Sequence, residues 1–323
     1  MFVDIPYIKC HGSDNDFIMI DERKLEESLT DEDRKEVALL LSDRLEGIGS
    51  DGILYVLSSS KAEACMRMFN SDGSEAEMCG NGLRCVARYI TEETGKEKVH
   101  IETAKAVLPV ERVSDIYEGI ATFSVAIEPV SFSASSLPME TESEQVVDTV
   151  LRDLTEDQTF TALSVPNPHI VSVVTELDEE VLENIGKKAN NSPHLFPNGV
   201  NVSFVRKIDD NKIFVQTYER GVGLTNACGT AMSASSIVSV IVAGNNPDLP
   251  VTVMNKGGMV QCIVHDNEEY KVELQGNATY VYEAEVRVDI STQSFEESPH
   301  HVHTEENERY SELREFAKTE GGL

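Results

Sequence analysis

Two stretches of this chain, 149 residues apart, spell the same short device: Cys79-Gly80-Asn81-Gly82 and Cys228-Gly229-Thr230-Ala231. The first runs into Leu83, Val86, Ala87 and Ile90, apolar at helical spacing, and the second into Met232, Ser235, Ile237 and Val240. The same offset pairs Phe69 with Tyr218, Asn70 with Glu219 and Gly52 with Asn201, and lays Gly47–Val56 over Phe196–Val205. An offset of 152 pairs Asn15-Asp16-Phe17-Ile18 with Asn167-Pro168-His169-Ile170, and Val99-His100-Ile101 with Val251-Thr252-Val253. A three-residue slip in a loop reconciles the two offsets. Chance alignment of short apolar runs is the alternative. Order, spacing and the Cys-Gly step agree instead on two copies of one α+β unit.

Each Cys-Gly step stands where a helix begins. The macrodipole and free N–H groups there favour a thiolate, so the expectation is a lowered pKa for both cysteines. The same N–H groups suit a carboxylate. Two helices aimed at one carboxylate stabilise the charge that develops as the adjacent carbon loses its proton. One thiolate then removes that proton while the opposite thiol supplies another, and the stereocentre inverts. Two inert capping cysteines, or a redox-active pair, are the competing readings.

The 323 residues suffice for two domains with cores of their own. A formal charge of −30 argues against nucleic acid or an anionic membrane as partner, because a phosphate surface repels it. No run approaches the ~20 apolar residues of a membrane span, and MFVDIPYIKCHG lacks the pattern of a secretory signal. A cytoplasmic location is the resulting expectation. The six cysteines include no Cys-x-x-Cys pair, which speaks against zinc, and a reducing compartment would not keep disulfides. Cys10, Cys65 and Cys262 fall in strand-like segments and Cys85 in the first Cys-Gly helix, as small apolar groups.

Along the chain, residues 5–21 read as strand, turn and strand. Helices are expected at about 31–45 and 178–188, the former capped by Thr30 or Asp31. The first unit takes residues 1–128 plus about 275–290, and the second takes 129–274, beginning with a polar loop, SFSASSLPMETESEQVVD. Residues 291–323 carry eight Asp/Glu against three Lys/Arg, with Tyr310, Leu313 and Phe316 at helical spacing. That tail reads as a short acidic helix on a flexible lead, away from the site.

HGSDNDF, MRMFNSDGSEAEMCGNGLR, VPNPH, GVNVSFV and YERGVGLTNACGT, in this order, resemble the motifs of the diaminopimelate epimerase family over the chain up to about residue 287. The resemblance implies two similar α+β domains, each a strand-rich, barrel-like sheet wrapped around a central helix, with the active site in the cleft between them. It implies an isomerase that works without metal, pyridoxal or any other cofactor on a small diamino-dicarboxylate. The reaction would interconvert LL- and meso-diaminopimelate for lysine and peptidoglycan precursors. Carried over by motif, Cys79 and Cys228 are the acid/base pair, and Gly80, Asn81, Gly229 and Thr230 surround the reacting carboxylate. Asn15, Asn70, Asn167, Asn201, Glu219 and Arg220 hold the remaining polar groups, with Arg220 suited to the distal carboxylate by its planar fork. His169 and Glu219 would keep the two thiols in opposite protonation states. For the asparagines, a role as turn residues is the bland alternative, and for His169 a satisfied core histidine. Racemisation of another amino acid on the same scaffold is the second functional reading, and a silent amino-acid-binding protein the third. A homodimer is left open.

Three positions depart from the family pattern: Leu224 stands where Glu is common, Ala231 where Gly is, and Asp14 where Gly precedes Asn15. Asp14 adds negative charge near the expected site. The Gly47–Gly52 match to G-x-G-x-x-G is set aside, because a helix precedes and a strand follows it, the reverse of a dinucleotide site. His300, His301 and His303 could nominally bind a metal, but they lie in the polar tail.

Overall fold

The computed structural model describes residues 2–267 and 269–322; residue 1 of the expected first unit, residue 323 of the expected tail and residue 268 lie outside them. The chain divides into two compact units, Met1–Val125 with Gly276–Glu312, and Ala126–Gln275 with Leu313–Leu323.

Unit 1 opens with β1 (Phe2–Gly12) and β2 (Asn15–Asp21), then α1 (Asp31–Ser42), β3 (Gly52–Leu57), β4 (Ala64–Asn70) and β5 (Glu75–Ala76). It continues through α2 (Gly80–Thr94), β6 (Lys98–Glu102), β7 (Val107–Val113) and β8 (Thr122–Ile127). Unit 2 has β9 (Thr149–Val150), β10 (Thr159–Ser164), β11 (Pro168–Val173), α3 (Glu179–Asn190), β12 (Asn201–Asp209), β13 (Lys212–Glu219) and β14 (Gly223–Thr225). Then come α4 (Gly229–Val242), β15 (Pro250–Asn255), β16 (Gly258–Asp266) and β17 (Tyr270–Asn277). β18 (Thr279–Asp289) returns to unit 1 and pairs antiparallel with β1.

The duplication is visible in strand register. β2 runs parallel to β3 with Phe17 opposite Gly52, and β11 runs parallel to β12 with His169 opposite Asn201. Phe17 and His169 differ by 152 and Gly52 and Asn201 by 149, so the two sequence offsets meet in one strand pair. The parallel pair β4–β6 sets Ala64 against Ile101, and β13–β15 sets Ile213 against Val253, again with offsets of 149 and 152. The intervening antiparallel pairs also correspond, Ile53↔Phe69 with Val202↔Tyr218. A one-residue slip would turn every side chain to the wrong face, so agreement at this level is a demanding match.

In each unit the sheet is covered on both sides. α2 runs against β1, β2, β3, β4, β6 and β7, and α4 against the counterparts β10, β11, β12, β13, β15 and β16. α1 caps the other face over Ile5, Ile18, Ile20, Ile53, Tyr55 and Phe69; α3 does the same over Phe160, Ile170, Val202 and Phe204. Strands buried on both faces need continuous apolar runs, which explains Ile53-Leu54-Tyr55-Val56 in β3. Each such side chain contributes about 1.5–3 kcal/mol on burial. The expected helix-wrapped-by-strands architecture is what forms.

The helices start and stop for local reasons. Thr30 caps α1 in a reciprocal capping box with Asp33, and Asp178 caps α3 by accepting from the Val181 N–H. α2 ends at Gly95 in the left-handed conformation, its N–H returning to the Thr91 carbonyl. α4 is buried at every residue from Ala231 to Ser239. Its serines solve the resulting polar problem by donating back along the helix, Ser233 to the Gly229 carbonyl at 3.0 Å and Ser236 to that of Met232 at 2.8 Å.

Two segments differ from expectation. The polar loop that opens unit 2 buries Leu137, Met139 and Val146 in the core under α3. The lead of the C-terminal tail is not flexible chain: β19 (Ser294–Glu297) and β20 (His301–Val302) pair antiparallel with β18. The acidic helix α5 (Thr304–Gly321) forms, but its buried face is Tyr310, Leu313 and Ala317, while Phe316 stays exposed. A heptad-like step of three then four residues places Ala317, not Phe316, on that face.

Candidate active site

Cys79 and Cys228 are the N-cap residues of α2 and α4, with nearly the same extended backbone: φ −145°, ψ 108° and φ −137°, ψ 115°. The sequence-level expectation of matched thiols at two helix starts is realised in geometry.

In unit 1 the Cys79 sulfur accepts the Gly82 N–H at 3.4 Å and lies 3.8 Å from the Asn15 side-chain oxygen. Asn81 donates to that same oxygen at 3.1 Å. Asn15 donates in turn to Asp51 at 2.6 Å, and Asp51 also takes the Asp16 N–H and an Arg44 guanidinium N–H. Gly12 lets the β1–β2 turn approach: a Cβ there would stand 2.9 Å from the Asn81 carbonyl and 3.0 Å from an Arg84 nitrogen. The turn itself places Ser13 and Asp14 at φ 55° and 68°, left-handed backbone that Gly adopts more easily than Asp.

In unit 2 the Cys228 sulfur lies 3.6 Å from the Thr230 hydroxyl, which is 3.2 Å from Nε2 of His169. Nε2 also contacts the Asn167 side-chain oxygen at 3.0 Å. Donation to that acceptor puts the proton on Nε2. Asn201 is buried and accepts the Arg220 backbone N–H at 2.9 Å. The exposed Arg220 guanidinium reaches the Asn198 carbonyl at 2.8 Å, its stem crossing Gly199, where a Cβ would sit 2.8 Å from Arg220 Cδ.

The site residues named from sequence therefore gather in two sets. Cys79, Gly80, Asn81 and Asn15 form one; Cys228, Gly229, Thr230, His169, Asn167 and Glu219 form the other, with Asn201 and Arg220 joined beside it. Asn70 stands apart from the first set in its hydrogen bonding: its amide donates to the Ser74 hydroxyl at 2.9 Å and its backbone closes the turn to Ser74. Sequence reasoning missed Asp51, Arg84 and Arg44. The only available signal was position, since Asp51 immediately precedes a duplicated strand and Arg84 follows the Cys-Gly step by five residues.

The expected lowering of the thiol pKa values is not what the structure shows. Burial pushes Cys79 up, against the opposing N–H groups of Gly82 and Asn81. Cys228 is pushed up to about 12, chiefly by burial and then by the Glu219 carboxylate, against the Thr230 hydroxyl and the Ala231 N–H. Desolvation outweighs the helix terminus at both places. The N–H groups still stand ready to receive a thiolate once one forms.

His169 is fully buried, and burial, with the Arg220 charge second, lowers its pKa to about 3. It is neutral at physiological pH. Because the unfolded chain binds this proton near pH 6.5 and the native one only near 3, stability falls as pH drops through that window. His169→Phe, which copies Phe17 at the equivalent place in unit 1, is expected to remove this acid sensitivity, on the order of a few kcal/mol. Denaturant melts of both proteins at pH 7 and pH 4 measure it; equal losses on acidification would contradict the assignment.

Among the described residues, no group of three or more His, Cys, Asp or Glu is arranged to hold a metal ion, and no helix is long and apolar enough to cross a membrane. His303 contacts Glu283 at 3.1 Å.

In fold the chain is similar to the Bacillus anthracis phenazine biosynthesis protein of the PhzF family, with a TM-score of 0.64 at 18% identity over 88% of this chain and 99% of that one. Fold and sequence together define an epimerase, an enzyme of the isomerase class. The family model for diaminopimelate epimerase matches residues 7–121 and 161–281, and the chain belongs to that family. A relative named diaminopimelate epimerase from Clostridium acetobutylicum is 46% identical over 289 residues, 89% of this chain and 87% of its own. One of the same name from Listeria welshimeri is 42% identical over 330 residues, 98% of this chain and 99% of its own.

Proposed function

We propose that this protein interconverts LL- and meso-diaminopimelate by exchanging one α-proton between two cysteines. The observation that carries the reading is the matched pair of half-buried thiols, each capping a helix at the same register position of a duplicated unit. One thiolate takes the Cα–H proton, so that a C–H bond breaks and an S–H bond forms. The other thiol delivers its proton to the opposite face of the same carbon, leaving the two sulfurs with exchanged protonation and the centre inverted. The α-carboxylate, which carries the developing charge, belongs on the N–H groups of Gly80–Gly82 and Gly229–Ala231.

Proton transfer of this kind needs no electron sink from a bound cofactor if the carboxylate's charge is met by two helix ends. Asn15, Asn70, Asn167, Asn201, Glu219 and Arg220 would bind the substrate's ammonium groups and distal carboxylate, and His169 and Glu219 would bias the protonation of the thiols. A cytoplasmic role in lysine and peptidoglycan precursor synthesis suits such a product. The competing reading, inversion of a different amino acid, is separated by substrate identity. Incubation with LL-diaminopimelate in deuterium oxide should give meso product carrying one deuterium at the inverted carbon. Inversion of simple monocarboxylic amino acids, with none of diaminopimelate, would overturn the substrate assignment.

A further inference from the structure

The two thiols sit in unlike polar surroundings despite their matched backbones. Around Cys79 runs a directional chain of amides. The fully buried Arg84 donates from Nη2 to the Asn81 side-chain oxygen at 2.9 Å. The Asn81 amide nitrogen donates to the Asn15 oxygen at 3.1 Å, and the Asn15 nitrogen donates to the Asp51 carboxylate at 2.6 Å. A cation stands at one end of this chain and an anion at the other. Flipping either amide would set an NH2 group against the guanidinium or a carbonyl oxygen against the carboxylate, so one orientation is enforced.

Both ends are anchored. Arg84 also donates to the Ser13 hydroxyl at 3.1 Å and the Asn277 carbonyl at 3.0 Å, and its guanidinium lies so close to Gly276 that a Cβ there would be 2.9 Å from Cζ. Asp51 is held by the Asp16 N–H at 3.1 Å and by Arg44 at 2.7 Å. The consequence falls on Cys79, because the atom that the chain turns toward its sulfur is an acceptor, the Asn15 oxygen at 3.8 Å. Unit 2 has no such chain. By the 149-residue offset, Ser233 replaces Arg84, Val200 replaces Asp51 and Thr230 replaces Asn81, and a hydroxyl that can donate as well as accept faces Cys228 instead.

We infer that Arg84 and Asp51 are positioning residues that lock Asn15 with its oxygen toward Cys79, so that this sulfur meets a fixed acceptor that favours its thiol form. The inference rests on the two-thiol reading. The charged and titratable groups that act on Cys79 are Arg84 and Cys85 on its own helix, and Asp51 with Arg44 and Asp16 closes the far end of the amide chain. Asp16 is already paired with Lys9 and Arg44 at 2.6 Å each, so its charge serves as the control.

The test follows alkylation of Cys79 by iodoacetamide as a function of pH, read at the Cys79 peptide by mass spectrometry in a Cys228→Ala background. Asp51→Asn combined with Asn81→Ala releases the Asn15 amide from both neighbours that orient it and lets it turn its NH2 group toward the sulfur, and the alkylation midpoint should fall by about one pH unit, a tenfold gain in thiolate at a given pH. Asp16→Asn, which removes a nearby carboxylate but leaves the amide chain whole, should leave the midpoint in place. Equal shifts in the two variants would mean plain charge repulsion and overturn the inference, as would no shift in either. The readout does not depend on turnover, so failure here leaves the two-thiol reading standing, and failure of that reading shows in the activity of the cysteine variants instead.

Discussion

Alanine in place of either Cys79 or Cys228 is expected to cut steady-state inversion by about a thousand-fold or more, the scale of a lost general acid or base, while the fold stays intact. Both halves of that expectation come from position. Each sulfur is the N-cap group at its helix start, and the proposed proton transfer gives its proton no other carrier. Neither sulfur holds much of the structure together. Cys79 accepts one long N–H bond at 3.4 Å, and Cys228 makes no side-chain capping bond. Loss of a good N-cap costs about 1 kcal/mol, and these are weak ones, so thermal melts of the variants should lie close to the parent. Retained turnover in either variant would remove that cysteine from the chemistry.

Arg220→Met is expected to act on the other kinetic parameter. Truncating one partner of a hydrogen-bonded charge pair costs about 2–5 kcal/mol, which corresponds to a rise in KM of at least about 30-fold, with kcat changed far less. The distal carboxylate it would bind lies several bonds from the reacting carbon, so its contribution is shared by ground and transition states. The structure leaves the guanidinium suited to this: its backbone is pinned by Asn201, its stem rests over Gly199, and its head is exposed with one N–H on the Asn198 carbonyl. Steady-state kinetics with LL-diaminopimelate decide it, and an unchanged KM would assign the distal carboxylate to another group.

Much of this was legible in the sequence because the duplication constrains it twice. The Cys-Gly steps, the strand registers around Gly52 and Asn201, and the placement of α2 and α4 all follow from two offsets that meet within single strand pairs. Burial was less legible. The thiol pKa direction came out reversed because a helix terminus is written in sequence and desolvation is not. Leu137, Met139 and Val146 reach the core from a stretch rich in Ser and Glu, with no periodicity to announce it. The bonds Asn70 makes to Ser74, closing a turn, were likewise not written in its motif. Arg84 is charged, and charged residues are rarely fully buried, so its place beneath the β1–β2 turn had no signal beyond its position after the Cys-Gly step.

The central claim is that the two sulfurs address opposite faces of one carbon, and α-proton exchange by the single-cysteine variants in deuterium oxide tests it most directly. With only one thiol left, a proton can leave and a deuteron return on the same face, giving exchange without inversion. The account predicts complementary behaviour: one variant labels LL-diaminopimelate with retention, and the other labels the D-configured centre of the meso isomer. Two variants that label the same centre, or one that still inverts, would contradict it.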